Sequence, residues 1–460
     1  MKTISDFQAE IKETSASQVL QTTLNAIDAN KDYNAVISVV KDRALERAAA
    51  VDEGTITGPL AGVPFIAKDM FNATDSVTTS SSNILRDYHS SYQATAITLL
   101  EDAGAILVGK ANNDAFGHGA STENSDFGPT KNAIDDTKVA GGSSGGSAVV
   151  VALDIVPFSV GTDTGGSTRQ PGSFNGVVGY KPTYGAISRY GVIAMASSTD
   201  TVGILAHTSR DVAVVTDLLA NIDEHDQVMV PLDRSVESKP TLKIGVVREY
   251  MTDEVSEDIR RAVQSRLDKA TKSANIQIEE VSLPSLPHSI GTYYILVPAE
   301  VSSNLARFDG VRYGQQKQGA NLTDMYELTR QAGFNSENKR RILIGSFVLS
   351  SGYYDAYYEQ ALKVRSMILD DLNEAFKTFD ILVGPTTPST AFSFGEHSTD
   401  PVSMYLADVM TVAPSLAGLP AVSIPVGVDS TGLPIGMQLI GPQKSDFSLL
   451  KCAELMEGTS

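Results

Sequence analysis

Two stretches of this chain concentrate glycine beside hydroxyl side chains: Gly141-Gly142-Ser143-Ser144-Gly145-Gly146-Ser147 and Gly161-Thr162-Asp163-Thr164-Gly165-Gly166-Ser167. A flexible linker would have this texture, but residues 148–160 between them are strongly apolar and must be buried. A phosphate cradle would need the Gly-Lys-Ser/Thr ending of a P-loop or the spaced glycines of a dinucleotide fold, and neither stretch has them. The third reading is a catalytic wall, in which glycines let backbone N–H groups converge on an oxyanion and serines supply hydroxyls. Spacing alone leaves that reading open. Lys68 follows the apolar run Val63-Pro64-Phe65-Ile66-Ala67 and is a candidate base. A lysine there is usually a solvated strand end. To accept a proton it must be neutral, which requires burial to lower its pKa by several units. The six histidines (His89, His118, His207, His225, His288 and His397) do not sit beside a serine motif in a hydrolase elbow pattern. His118, in the loop 112–125, comes nearest and reads as a structural or rim residue.

These residues need elements to position them. Apolar β-type runs at 63–67, 105–109, 155–160, 242–247, 381–383, 421–426 and 435–440 alternate with helical stretches at 94–103, 211–220, 254–273, 337–376, 403–411 and 446–457. The alternation predicts an α/β fold, helices covering a large sheet. The N-terminal segment, about 4–55, reads as helical, with Leu20, Leu24 and Ile27 on one face behind Ser15 or Ser17 as cap. Residues 286–376, rich in Tyr and Arg and poor in strand signals, read as a helical insertion over one end of the sheet. Most of those tyrosines are expected to be core and rim residues. The polar stretch 223–240 reads as a surface loop, and with no internal repeat or linker the whole of 1–460 is expected to be one domain.

Composition narrows the function classes. The net charge of -19 argues against this chain alone gripping nucleic acid, which needs clustered Lys and Arg. Cys452 is the one cysteine, so neither a disulfide framework nor a cysteine-built zinc site is expected, nor any other metal site. No run approaches the roughly 20 apolar residues of a membrane span, and the first residues lack the apolar core of a signal peptide. A reducing cytoplasm is the expected compartment.

Lys68 with the segments 141–147 and 161–171 resembles the amidase signature family. The resemblance implies a large mixed central sheet covered by helices on both faces. It also implies a Ser–cis-Ser–Lys triad: Lys68 as base, Ser143 as bridging serine after a cis Gly142–Ser143 bond, and Ser167 as nucleophile. The separations, 75 residues and then 24, fit. On this reading the backbone N–H groups of Thr164, Gly165, Gly166 and Ser167 hold the oxyanion. Asp163 and Arg169 have a structural role.

Further segments, at 303–314, 339–358, 384–392 and 404–427, are similar to one branch of that family, the glutaminase subunits of tRNA-dependent amidotransferases. This implies glutamine as substrate and ammonia as product. The ammonia passes to a B subunit that carries ATP and Mg and contacts the tRNA, while a small C subunit joins the two. No cofactor is implied on this chain. By position in the matching motifs, Arg341 would hold the glutamine α-carboxylate, Asp408 the α-ammonium, and Tyr293 would add a hydrogen bond. Without the resemblance, Arg341 and Asp408 would read as helix-surface charges. The sequence departs from the branch at Met70, Ala140 and Ser415 and in the loop Ala115, Gly117, His118. Other readings are a stand-alone hydrolase of another small carboxamide, and a non-catalytic scaffold, against which the intact Lys68, Ser143 and Ser167 speak.

Overall fold

Residues 1–236, 241–273, 275–397 and 400–458 are described by a computed structural model. Eleven strands form one sheet: β1 Val36–Val39, β2 Pro64–Lys68, β3 Ile106–Ala111, β4 Phe158–Thr162, β5 Val178–Lys181, β6 Val202–Ala206, β7 Leu242–Val247, β8 Ile276–Val281, β9 Ile381–Pro385, β10 Ala421–Val428 and β11 Pro434–Ile440. Their order is β1-β3-β2-β4-β6-β5-β10-β11-β9-β7-β8. Strand β2 runs parallel to β3 and β4, and β7 runs parallel to β8 and β9. The remaining pairs are antiparallel, so the sheet is mixed, as expected.

Side chains alternate across a strand, so a central strand of this sheet must be apolar on both sides. In β2, Phe65 and Ala67 enter one hydrophobic core and Ile66 enters another. Leu107 and Val108 divide in the same way, as do Ile204 and Leu205. The second core is closed by helices Ala16–Ala29, Lys41–Asp52 and Gly145–Ala152; the first contains helices Ser209–Leu219, Glu257–Ser273 and Asp446–Glu457. The apolar run between the two glycine-rich stretches is thus a buried helix followed by the buried strand β4.

Several elements differ from the expectation. Strands β1, β5, β6 and β8 were not among the predicted runs. β1 is a four-residue edge strand inside the segment read as helical, and β8 is an edge strand whose sequence, Ile276-Gln277-Ile278-Glu279-Glu280-Val281, is half solvated. Strands β5 and β6 are short and contain a glycine each, and only their place between β4 and β10 makes them central. The stretch 337–376 is two helices, Ser336–Val348 and Glu359–Ala375, joined by a turn and the wide helical turn Tyr354–Tyr358. The stretch 403–411 ends as a helix at Leu406, and residues 407–410 form turns before Val412–Leu416. Ser15 is the cap of Ala16–Ala29, accepting from Gln18 N. The loop 223–240 carries no helix or strand through 236; its last four residues lie outside the described residues. Among the described residues no helix is long and apolar enough to cross a membrane.

Candidate active site

Lys68 is the last residue of β2 and Thr162 the last of its parallel neighbour β4, so their side chains meet at the carboxyl ends of adjacent parallel strands. That is where open α/β sheets place their ligand crevices. Ser143 and Ser144 lie at the start of helix Gly145–Ala152, which packs on the sheet beside them. Ser167 lies in the turn between β4 and helix Arg169–Asn175. The two turns are tied together, because Ser144 N donates to Ser167 O at 3.0 Å. The Gly142–Ser143 bond is cis.

Lys68 is fully buried. Its Nζ stands 2.7 Å from Ser143 Oγ, 2.8 Å from Thr162 Oγ1 and 3.0 Å from Ser144 Oγ. Burial pulls its pKa down to about 7, opposed by the charges of Asp114, Asp163 and Asp200. A neutral amine has two protons and one lone pair, and the neighbouring hydroxyls decide where that lone pair points. Ser144 donates to Thr162 O at 3.1 Å, and the Thr162 hydroxyl meets Met70 Sδ at 3.6 Å. Both therefore accept from Lys68. Ser143, with no other acceptor among the described residues, is the hydroxyl left to donate its proton to the amine. Thr162 was missed at the sequence level; only its pairing next to β2 brings it to the lysine. The Ser167 hydroxyl has no hydrogen-bond partner among the described residues, so the structure joins Lys68 to Ser143 directly but draws no bond from Ser143 to Ser167.

The Ser167 turn is braced from below. Arg169 and Asp163, both fully buried, make a two-point pair, Nε to Oδ2 at 2.9 Å and Nη2 to Oδ1 at 2.8 Å. Arg169 also reaches Gln438 Oε1 at 2.6 Å and Ser415 Oγ at 2.9 Å. Burial would raise the Asp163 carboxyl, but the Arg169 guanidinium holds it below its usual value. This agrees with the structural role expected for both. The pair also corrects one expectation: Gly166 N–H donates to Asp163 Oδ1 at 2.8 Å and is not free to hold an oxyanion. The N–H groups of Thr164, Gly165 and Ser167 have no acceptor among the described residues and remain available.

The other turn is packed as tightly. Gly142 N donates to Gln170 Oε1 at 2.9 Å. A Cβ on Gly142 would overlap the Asp114 carboxylate and stand 2.7 Å from Ser121 N and 2.9 Å from Thr122 N. Asp114 is itself buried. Burial raises it to about 6 against the N–H groups of Thr122 and Asn124 and the charge of Lys68. Gly142→Ala is therefore expected to displace Ser143 from Lys68, costing about 2–3 kcal/mol of stability by overpacking together with most activity. Urea unfolding and turnover of the purified variant would check it; a variant with unchanged midpoint and rate would show that the turn has room.

The three clamp candidates converge on the same turn from elsewhere. Tyr293 comes from helix Ser289–Asn304, and its ring and hydroxyl lie 2.6–2.7 Å from where a Cβ on Gly165 would be. Asp408 sits in the turns after helix Pro401–Leu406, with Oδ1 3.1 Å from the same point on Gly166. Thr411 fastens this segment by donating to Gly165 O at 2.6 Å. Asp408 Oδ1 is buried without a partner; burial and the charge of Asp163 push the carboxyl well above its usual value despite Arg169 and Arg341. A bound cation would relieve that. Arg341, on the helix capped by Asn335, is 2% exposed rather than on the surface. Its Nε donates to Glu337 Oε1 at 2.6 Å, and its guanidinium carbon stands 4.7 Å and 5.0 Å from the centres of the stacked Tyr294 and Tyr405 rings. Its two terminal nitrogens make no hydrogen bond to the described residues. They border a cavity of about 300 Å³ also lined by Ser121, Glu337, Tyr294 and Tyr405. Ser167, Tyr293 and Asp408 are not in that lining, so the clamp is linked to the Ser167 turn by packing of Tyr293 and Asp408, not by one open chamber.

The sequence profile of the amidase family matches residues 18–450. Among curated relatives, the A subunit of the glutamyl-tRNA(Gln) amidotransferase of Macrococcus caseolyticus is 46% identical, covering 95% of this chain and 92% of its own length. The protein of the same name from Zymomonas mobilis is also 46% identical, covering 96% and 93%. Among solved structures, the A subunit of the glutamyl-tRNA(Gln) amidotransferase of Thermotoga maritima superposes with a TM-score of 0.82 at 36% identity, covering 100% of this chain and 94% of the other. A bacterial aryl acylamidase superposes with a TM-score of 0.87 at 24% identity, which speaks for the fold alone.

Proposed function

Since this chain belongs to the amidase family, we propose that it is the glutamine-hydrolysing subunit of a tRNA-dependent amidotransferase, with Ser167 as nucleophile. The observation that carries the chemistry is the fully buried Lys68, 2.7 Å from Ser143. Neutral Lys68 takes the Ser143 proton as Ser143 takes that of Ser167, and Ser167 Oγ attacks the γ-carboxamide carbon. The oxyanion is held by the N–H groups of Thr164, Gly165 and Ser167, with Gly166 engaged below. The relay then returns a proton to the leaving nitrogen, ammonia departs, and water repeats the sequence to free glutamate. Arg341 takes the α-carboxylate on its two terminal nitrogens, Asp408 the α-ammonium, and Tyr293 orients the substrate beside Gly165. The relatives' names support the partnership: ammonia goes to a B subunit that holds ATP and Mg, contacts the tRNA and amidates its misplaced Glu or Asp, and a C subunit joins the pair. The cytoplasm, where charged tRNA is used, is the proposed compartment.

The test is ammonia release from glutamine by the chain alone and assembled with B and C subunits, ATP and Glu-tRNA(Gln). Release coupled to tRNA amidation is the expected result. Release from an apolar amide with none from glutamine would instead identify a stand-alone amidase. The pH profile should carry the mark of Lys68. Its conjugate acid loses its proton near 7, so the base is present above that pH and lost below it. The rate at subsaturating glutamine should fall by about tenfold per pH unit on the acid side, and a flat profile from pH 5 to 8 would remove Lys68 as the base.

A further inference from the structure

His118 stands in the loop between β3 and the first glycine-rich stretch and has no part in the relay. It is fully buried. Its Nδ1 lies 2.7 Å from Asn338 Nδ2. The orientation of the Asn338 amide is set by its other contact, because the same nitrogen donates to Ala115 O at 2.9 Å, where an amide oxygen would be repelled. Nδ1 of His118 must therefore accept, and the proton of the neutral ring sits on Nε2. That Nε2 is buried and has no acceptor among the described residues. A second proton on the ring is opposed by burial and by the charge of Arg341.

The position of this donor is informative. Asn338 and Arg341 are three residues apart on helix Ser336–Val348 and so share a face. The residues that follow His118, Gly119 to Ser121, line the cavity bordered by Arg341. Two unfilled donors, the His118 Nε2–H and the terminal nitrogens of Arg341, thus flank one region with only Glu337 beside it as an anion, and Glu337 is already engaged by Arg341 Nε, Arg340 and Tyr405. A buried donor without an acceptor is unfavourable unless a ligand supplies one. We propose that His118 is a specificity-determining residue whose Nε2–H donates to the α-carboxylate of the substrate beside Arg341. This rests on the reading of glutamine as substrate. His118 remains neutral while doing so, so it adds direction to carboxylate recognition without adding charge.

The experiment compares His118→Met, which fills the buried space without a donor, with His118→Gln, which keeps an N–H. Each full-length variant is assayed on glutamine and on glutaminol, whose CH2OH replaces the α-carboxylate. His118→Met is expected to raise KM for glutamine about tenfold with kcat within about twofold, and to leave KM for glutaminol within about twofold, while His118→Gln recovers most of the loss. An unchanged KM for glutamine overturns the proposal. So does an equal rise for both substrates, or a fall in kcat alone, since these mark a packing or relay role. If His118→Met does not fold, a His118→Gln protein whose preference for glutamine over glutaminol equals that of the native chain supports the proposal, and one that loses the preference overturns it. Failure of the native chain to release ammonia from glutamine would instead overturn the glutaminase reading.

Discussion

Replacement of Ser167 by alanine is expected to lower glutamine hydrolysis by at least about 10⁴-fold, to the level left by oxyanion binding and substrate positioning. Lys68→Ala and Ser143→Ala should each lose nearly as much, and the triple variant little more, because the three groups act as one proton path. The geometry explains why none can be spared. Lys68 has three hydroxyl neighbours, but the protons of Ser144 and Thr162 are turned to Thr162 O and Met70 Sδ, so only Ser143 is in a position to load the amine. Ser143→Ala would leave a lysine 2.8 Å and 3.0 Å from two acceptors, well held and unable to reach the nucleophile. Turnover of that variant within about tenfold of normal would sink the relay as drawn. A control separates chemistry from assembly. With ammonium chloride supplied, the complex containing Ser167→Ala should still amidate tRNA, because the partner's site needs ammonia and not its source.

Arg341→Met is expected to raise KM for glutamine about 100-fold or more, as losing a desolvated charge partner does, with a smaller change in kcat. The reason is the way the guanidinium is used. One edge is spent on Glu337 at 2.6 Å and the flat face on Tyr294 and Tyr405, which leaves the two terminal nitrogens aimed outward and rigid. Lysine cannot divide itself in this way, so Arg341→Lys should recover little. Removal of the guanidinium also leaves Glu337 buried with only Arg340 and Tyr405 for company, so a fall in melting temperature should accompany the loss of affinity. Glutamine titration by calorimetry into the Ser167→Ala background, with and without Arg341→Met, isolates binding from turnover. Equal affinity in both would remove Arg341 from substrate recognition.

How much of this was legible depended on the range of the interaction involved. The long apolar runs gave strands β2, β3, β4, β7, β9, β10 and β11 close to their observed bounds, since burial on both faces writes itself into the residue types. β1 and β8 escaped because edge strands are half solvated, and β5 and β6 because four or five residues with a glycine carry little pattern of their own. The stretch 403–411 has helical composition, yet Thr411 bonds to Gly165 and the chain turns at Asp408 instead. That bond crosses from one end of the chain to another and leaves no local trace. Gly166 was counted among the oxyanion donors for the same reason: its engagement by Asp163 depends on how Arg169 sets that carboxylate.

By itself the sequence determined the α/β class, the burial of the segment between the two glycine-rich stretches, and, through the spacing of Lys68, Ser143 and Ser167, the family and its expected triad. Each of these follows from residue type and order. The tertiary structure alone decided the protonation of Lys68, because a pKa near 7 comes from exclusion of water and from charges on Asp114, Asp163 and Asp200, which are distant in the chain. It also decided which of three hydroxyls can feed that lysine, and that Arg341 and Asp408 are buried and unfilled instead of solvated, since desolvation and hydrogen-bond direction belong to the packed arrangement and to no single segment.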